Sequence, residues 1–186
     1  MTLNFYSPRA YNYVRKVFDT CLPHPRTISK WYQTVDDSPG FTRSAFDALM
    51  LRNEARGGDK MICSLMMDEV SIRKHVEFDG RKYHGYIDMG TELDDDSLPV
   101  AKDALVFMVV DLKSSWKLSV GYFLINGIGG EERKNLVLDC IERLDAVGVQ
   151  VVSLTHDGAS ANFTMLRLLD VDWTDCQNIK SYFPIL

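Results

Sequence analysis

Two apolar runs, each ending on a carboxylate, set the strongest limit on how this chain can fold: Met61-Ile-Cys-Ser-Leu-Met-Met-Asp68-Glu69 and Val149-Gln-Val-Val-Ser-Leu-Thr-His156-Asp157-Gly158. Short, nearly continuous runs of this kind mark buried strands. An acid at the end of such a strand lies on the rim of a sheet, where an ionised carboxylate needs a counter-charge. Where two such rims meet, the acids repel each other and a divalent cation relieves the repulsion. Acids also stand at strand ends because strands end at solvent, so the pattern alone leaves both readings open.

Ahead of the first run, residues 7–56 read as helical. Ser7-Pro8 is an N-cap followed by proline at the first helical position, and Tyr11, Val14, Val17, Phe18 and Cys21 recur at helical spacing. Pro25 opens a second helix with Ile28, Trp31, Tyr32 and Val35 facing inward, and Asp36-Asp37-Ser38-Pro39-Gly40 reads as a turn. Thr42 caps a third helix carrying Phe46, Leu49 and Met50. Gly57-Gly58-Asp59 ends this part, which divides the chain into a helical segment, 1–58, and a mixed domain, 59–186.

Beyond the boundary the period changes. Asp79-Gly80 signals a hairpin between 74–78 and 81–87. Residues 91–99 read as an acidic loop, 104–110 and 116–125 as strands, and 131–147 as a helix closed by Gly148. The second acid-bearing strand, 149–155, and a helix over 159–169 follow. This order predicts an α/β, RNase H-like mixed sheet: an antiparallel meander plus a parallel strand with flanking helices, preceded by the small helical segment. A right-handed crossover would set 149–155 parallel to 61–68 and bring Asp68 and Asp157 to one edge.

Hydrophobic residues make up 46% and charged residues 25%, an ordinary globular mix, and the net charge of -5 gives no global sign of a nucleic-acid binder. Its distribution differs: residues 1–60 carry nine Lys/Arg against six Asp/Glu, the rest twelve against twenty. A basic front on an acidic body suits a DNA-contacting lobe beside a cation-binding one. Cys21, Cys63, Cys140 and Cys176 match no zinc spacing, and Cys63 and Cys140 lie in apolar patterns as small buried thiols. Reduced cysteines suit the cytosol or nucleus. No charged-then-apolar leader opens the chain and no run approaches the ~20 apolar residues of a membrane helix, so no membrane partner is expected.

Several other residues are candidates. Glu69 and His156 each adjoin an acid and by strand alternation face the other way, Glu69 toward a salt bridge or solvent. Ser160 and Asn162 either cap the helix after Asp157 or orient substrate or water. Asp94-Asp95-Asp96 reads as a solvated run, Lys113 and Lys117 flank a hairpin tip within reach of a phosphate, and His24, His75 and His84 have no partner at ligand spacing. In Pro25-Arg-Thr-Ile-Ser-Lys-Trp31-Tyr32, Arg26, Ser29 and Lys30 oppose the apolar residues, as in the recognition element of a helix-turn-helix. A small bundle packing on the core fits that pattern equally well.

The stretches Leu22-Pro-His-Pro-Arg-Thr-Ile, Trp31-Tyr…Asp37-Ser-Pro-Gly-Phe-Thr42, Met67-Asp-Glu-Val-Ser-Ile72, Tyr83-His-Gly-Tyr86 and His156-Asp-Gly-Ala-Ser-Ala-Asn162 together resemble the P-element transposases. Animal members of that group often carry a THAP zinc finger ahead of an RNase H-like catalytic domain. The resemblance implies DNA cleavage and strand transfer dependent on Mg²⁺ (or Mn²⁺), a helical DNA-binding segment, and Asp68 and Asp157 as the first two catalytic and metal-binding acids. Double-stranded DNA, as transposon ends and target, is the implied partner, and the nucleus the implied location. The THAP finger and the family's third acid have no counterpart here. A core incomplete at its C-terminus is therefore expected, with its apolar edge exposed or covered by a missing part or a second copy. The isolated chain is then expected to be inactive. The alternative is a domesticated remnant that binds DNA or protein without catalysis. A metal-dependent phosphotransferase of another α/β family is disfavoured, because no phosphate-cradling glycine loop accompanies the acids.

Overall fold

The computed structural model describes residues 2–33, 38–57, 59–90, 98–172 and 179–183. They fall into two compact units, Met1–Asp37 and Ser38–Leu186. The first holds α1 (Thr2–Tyr6), α2 (Pro8–Val17) and α3 (Pro25–Gln33). Helix α2 starts as its sequence prescribes, with Pro8 in the first turn and the Ser7 hydroxyl accepting the Ala10 N–H at 3.2 Å. Two of its side chains hold the turn that follows. The Tyr11 hydroxyl donates to the Pro23 carbonyl at 2.7 Å, and Arg15 Nε to the Leu22 carbonyl at 3.0 Å. Tyr11 and Ile28 are buried, but Val17, Phe18 and Trp31, which helical spacing assigned to apolar faces, are exposed. So small a unit has too little interior to cover every apolar position.

The second unit runs β1 (Gly40–Phe41), α4 (Arg43–Ala55), β2 (Met61–Ser71), β3 (Glu77–Phe78), β4 (Tyr83–His84), β5 (Asp103–Asp111), β6 (Lys117–Ile125), α5 (Gly130–Ala146), β7 (Val149–Thr155) and α6 (Ser160–Leu168). Five strands form one sheet in the order β1-β6-β5-β2-β7. Strands β6, β5 and β2 are antiparallel neighbours, and β7 runs parallel to β2. The expected mixed sheet is present. Helix α4, grouped by sequence with the leading helices, instead lies with the sheet, so the units divide at 37/38 and not at Gly58. Its Ala45, Phe46 and Leu49 are buried in the same core as β2, β5 and α5. Phe41 locks the junction, with ring centroids 5.0–6.2 Å from Phe46, Phe107 and Phe123 in edge-on contacts.

Strand β2 is paired on both sides. Met61, Cys63, Leu65 and Met67 alternate into the core, while Ser64, Met66 and Asp68 take the other face. Its parallel partner contains one extra residue. Cys63 pairs with Val151 but Ser64 with Ser153, so Val152 is left as a β-bulge. Before the bulge, Val149 and Val151 stand opposite core-facing Met61 and Cys63. After it, Leu154 stands opposite core-facing Leu65, and Ser153 and Thr155 opposite Ser64 and Met66. The Ser153 hydroxyl confirms the face by donating to Ser64 Oγ at 2.9 Å.

The hairpin predicted over 74–87 shrinks to the two pairs Glu77↔His84 and Phe78↔Tyr83. Its loop has four residues, not two, because Asp79 Oδ1 accepts the Arg81 and Lys82 N–H groups at 2.7 and 2.9 Å. The His84 ring 2.9 Å from Asp79 Oδ2, with those two N–H groups, holds the Asp79 carboxyl well below the usual carboxylate range. Gly148 follows α5 at φ +79, the left-handed residue that glycine supplies. At the other end, Gly130 allows α6 a close approach: a Cβ there would lie 2.7 Å from Thr164 Cγ2 and the Met165 nitrogen.

Among the described residues β7 is an edge strand, flanked by an apolar groove of about 420 Å³ lined in part by Val151, Leu154, Phe163, Leu166 and Tyr182. Cys63 and Cys140 are fully buried free thiols, and burial pushes them up to about 11 and about 12. No helix among the described residues is long and apolar enough to cross a membrane. Val35, Asp36-Asp37, Asp94-Asp95-Asp96, Cys176 and 184–186 lie outside the described residues, as does the Tyr32 side chain. Leu65 is fully buried and Leu51 is 62% exposed, so the same truncation should separate them. Urea unfolding should show Leu65→Ala losing about 2–5 kcal/mol and Leu51→Ala less than about 0.5 kcal/mol.

Candidate functional site

The register of β2 and β7 brings the stretches that carry the two sequence-predicted acids to one edge of the sheet. Asp68 does not end its strand, as the apolar run suggested: β2 continues to Ser71, because β5 goes on pairing with it through Ser71↔Asp103. What ends is the other neighbour. Strand β7 stops at Thr155, opposite Met66, and two further residues along each chain lead to Asp157 and Asp68. Neighbouring strands lie about 4.8 Å apart. Met66, Asp68 and Thr155 share one face, and without the bulge at Val152 the alternation would carry Asp157 to the opposite, core-facing side.

Each carboxylate is held by one oxygen. Asp68 Oδ1 accepts the Glu69 N–H at 2.9 Å. Asp157 Oδ1 accepts the side-chain amide of Asn162 at 2.6 Å and the Ala159 N–H at 3.2 Å. The Oδ2 atom of each makes no hydrogen bond among the described residues, and both residues are exposed. Two unsatisfied carboxylate oxygens fit Mg²⁺, which keeps several waters and takes one or two protein carboxylates with substrate phosphate. Among the described residues no group of three or more His, Cys, Asp or Glu gathers at metal-binding distance.

The residues beside the acids divide as strand geometry requires. Glu69 points to the core side and forms an ion pair with Arg133 of α5, whose side chain is 4% exposed. Arg133 Nη1 donates to Asn162 Oδ1 at 2.9 Å, and its Nε to the Ile128 carbonyl at 3.4 Å. Asn162 is thus buried between a guanidinium and the Asp157 carboxylate. It does not cap α6, whose N-cap is Ala159 without a side-chain hydrogen bond, and Ser160 is exposed. His156 turns away to the groove beside β7, with Nδ1 2.6 Å from the Asp157 carbonyl. Sequence reading missed Arg133. Its only trace was spacing, because it falls four residues before Val137 on the stripe that continues through Cys140, Ile141 and Leu144.

A third acid shows the opposite use of a carboxylate. Asp111, at the end of β5, is 4% exposed and organises the β5–β6 turn. It accepts the Lys113 N–H at 3.1 Å and the Ser114 hydroxyl, and Arg56 lies 3.4 Å away. Burial opposes its ionisation, but Ser114, the Lys113 N–H and Arg56 outweigh it and hold the carboxyl below its ordinary value. Asp111 pairs with Cys63, five residues along β2 from Asp68. Lys113 and Lys117 near this tip are therefore at the opposite end of the sheet from the acid pair, roughly 16 Å along the strand.

In the helical unit, Arg26, Ser29 and Lys30 are all exposed on α3. Arg26 and Lys30, one turn apart, share a face. The Ser29 hydroxyl is engaged within its own helix, donating to the Pro25 carbonyl at 3.1 Å. His24 Nδ1 accepts the Arg26 N–H at 3.1 Å, a local turn contact.

Residues 37–170 match the family model described as TNP-like, RNase H N-terminal domain, and residues 1–31 the model described as Transposable element P transposase-like, HTH domain. A human protein described as DNA transposase THAP9 is 29% identical over 175 residues, covering 91% of this chain and 19% of that protein. Among solved structures, the Drosophila P element transposase strand transfer complex is similar at a TM-score of 0.62 and 25% identity, over 90% of this chain and 34% of that one. The chain thus spans about a fifth of the curated relative and a third of the solved one. The five-stranded mixed sheet with its flanking helices is the RNase H-like fold of that transposase.

The lowered pKa of Asp111 gives a signed expectation. Its contribution to stability is present above the ordinary carboxylate pKa and is lost as pH falls through the depressed one. Asp111→Asn should therefore narrow the gap in unfolding free energy between pH 7 and pH 3, and at pH 7 cost about 1–3 kcal/mol in urea titrations.

Proposed function

The chain belongs to the family of TNP-like RNase H N-terminal domains, and from that premise we propose that Asp68 and Asp157 hold Mg²⁺ (or Mn²⁺) for DNA cleavage and strand transfer by a P-element-type transposase. One observation supports the reading: the bulged register of β2 and β7 runs to Met66↔Thr155, two residues before each acid, and each carboxylate keeps an oxygen without a hydrogen bond among the described residues. A divalent ion bound there supplies the positive charge that phosphodiester displacement needs. The chain's own part is to bind and orient. Asp68 is fixed on a strand paired to β5, Asp157 on a turn tied to α6, and both stay open to solvent, where a phosphate can enter. The remaining ligands of such a site would come from residues other than those described.

The helical unit takes DNA in this proposal. Arg26 and Lys30 offer two cations on one face of α3, and the Transposable element P transposase-like HTH model covers that segment through residue 31. Double-stranded DNA as substrate and the nucleus as location follow from the same reading.

Two measurements test it. Calorimetric titration of Mn²⁺ should show binding that is weakened at least tenfold by Asp68→Ala or Asp157→Ala, a loss of about 1.4 kcal/mol or more. Equal isotherms for all three proteins would rule the site out. Binding to a DNA duplex should weaken with salt, and Arg26→Ala with Lys30→Ala should lower the slope of log K against log salt by roughly 0.9 for each phosphate no longer neutralised. An unchanged slope would assign α3 to packing alone.

A further inference from the structure

Arg133 reaches three separate parts of the chain with its side chain: the Ile128 carbonyl, the Glu69 carboxylate on β2 and the Asn162 amide on α6. A guanidinium can only donate, so the oxygen of the Asn162 amide has to face it. The amide nitrogen is thereby turned the other way, onto Asp157, where Nδ2 lies 2.6 Å from Oδ1 and 3.4 Å from the backbone carbonyl. Exchanging the two amide atoms would aim an oxygen at a carboxylate and an N–H₂ at a guanidinium, unfavourable on both sides. The arginine thus selects which face of the amide the acid sees.

Stability alone does not call for an arginine here. The position continues the apolar stripe of α5, and well-packed apolar residues commonly match or exceed a buried ion pair in stability. Glu69, in turn, is 30% exposed and can be solvated without its partner. What the arginine adds is orientation, delivered to the oxygen of Asp157 opposite the one left open. Its charge is matched by Glu69, so the acid pair keeps its full attraction for a cation.

We propose that Arg133 and Asn162 are positioning residues for the metal-binding carboxylate of Asp157, with Arg133 acting through the Asn162 amide. This rests on the assignment of Asp68 and Asp157 to a divalent-ion site. Gly130 permits the relay, because the tight approach of α6 to the start of α5 brings Asn162 within reach of Arg133.

The test is calorimetric titration of Mn²⁺ into the 186-residue chain, with far-UV circular dichroism and thermal melting run on each variant. Asn162→Leu and Arg133→Gln should each weaken Mn²⁺ binding on the order of 10–100-fold with the dichroism unchanged, and Arg133→Lys should recover part of the loss. Melting temperatures that drop while Mn²⁺ affinity stays within about twofold of wild type would reduce Arg133 to a structural ion pair and overturn the proposal. If Arg133→Gln fails to fold, Asn162→Leu decides, since it leaves the Arg133–Glu69 pair in place. Asp157→Ala separates the two levels. If it abolishes binding while Asn162→Leu binds normally, the positioning role alone falls; if it changes nothing, the metal site falls and the positioning role with it.

Discussion

One supernumerary residue, Val152, governs which side chains of β7 share a face with those of β2. A strand that begins with Val149 and Val151 against the core would, by plain alternation, continue with residues 153, 155 and 157 on the same dry side. The bulge resets the phase, so that Leu154 takes the core position opposite Leu65 and the polar residues move to the face of Asp68. The cost is a local break in the ladder, taken up on a strand that pairs on only one side among the described residues.

The acids of the molecule show how environment assigns roles to one functional group. Asp111 is enclosed, with its oxygens spent on Lys113, Ser114 and Arg56, and its ionised form serves the fold. Glu69 neutralises the buried Arg133. Asp68 and Asp157 are each fastened through one oxygen and open at the other. These two acids flank the place where β2 outruns β7.

Much of this was legible in the residues. Apolar runs gave β2 and β7, Gly148 closed α5, and Ser7-Pro8 opened α2, because each depends on local chemistry that sequence displays directly. The misreadings came from partners. Thr42 to Ala55 looked like a continuation of the leading helices, yet the face carrying Phe46 and Leu49 is claimed by the sheet. Asp79-Gly80 looked like a two-residue turn until the Asp79 side chain bound two backbone N–H groups and lengthened it. The apolar runs drew attention to Asp68 and Asp157, whereas the bulge and Arg133 left no comparable sign. A bulge is set by pairing with a distant strand, and a charged residue on an apolar stripe betrays nothing of its partners 29 and 64 positions away.

The parallel pairing of β2 with β7 also bears on the order in which the molecule assembles. Strands β5 and β6 are joined by five residues, 112–116, and can zip locally, whereas Met66 meets Thr155 only after the intervening meander and α5 have been spanned. Closing so long a loop carries a larger entropic barrier, and such contacts accumulate late on a folding route. In nascent or half-folded chains Asp68 and Asp157 therefore lie on unpaired segments, and the strand ends that carry them meet only once the topology is complete.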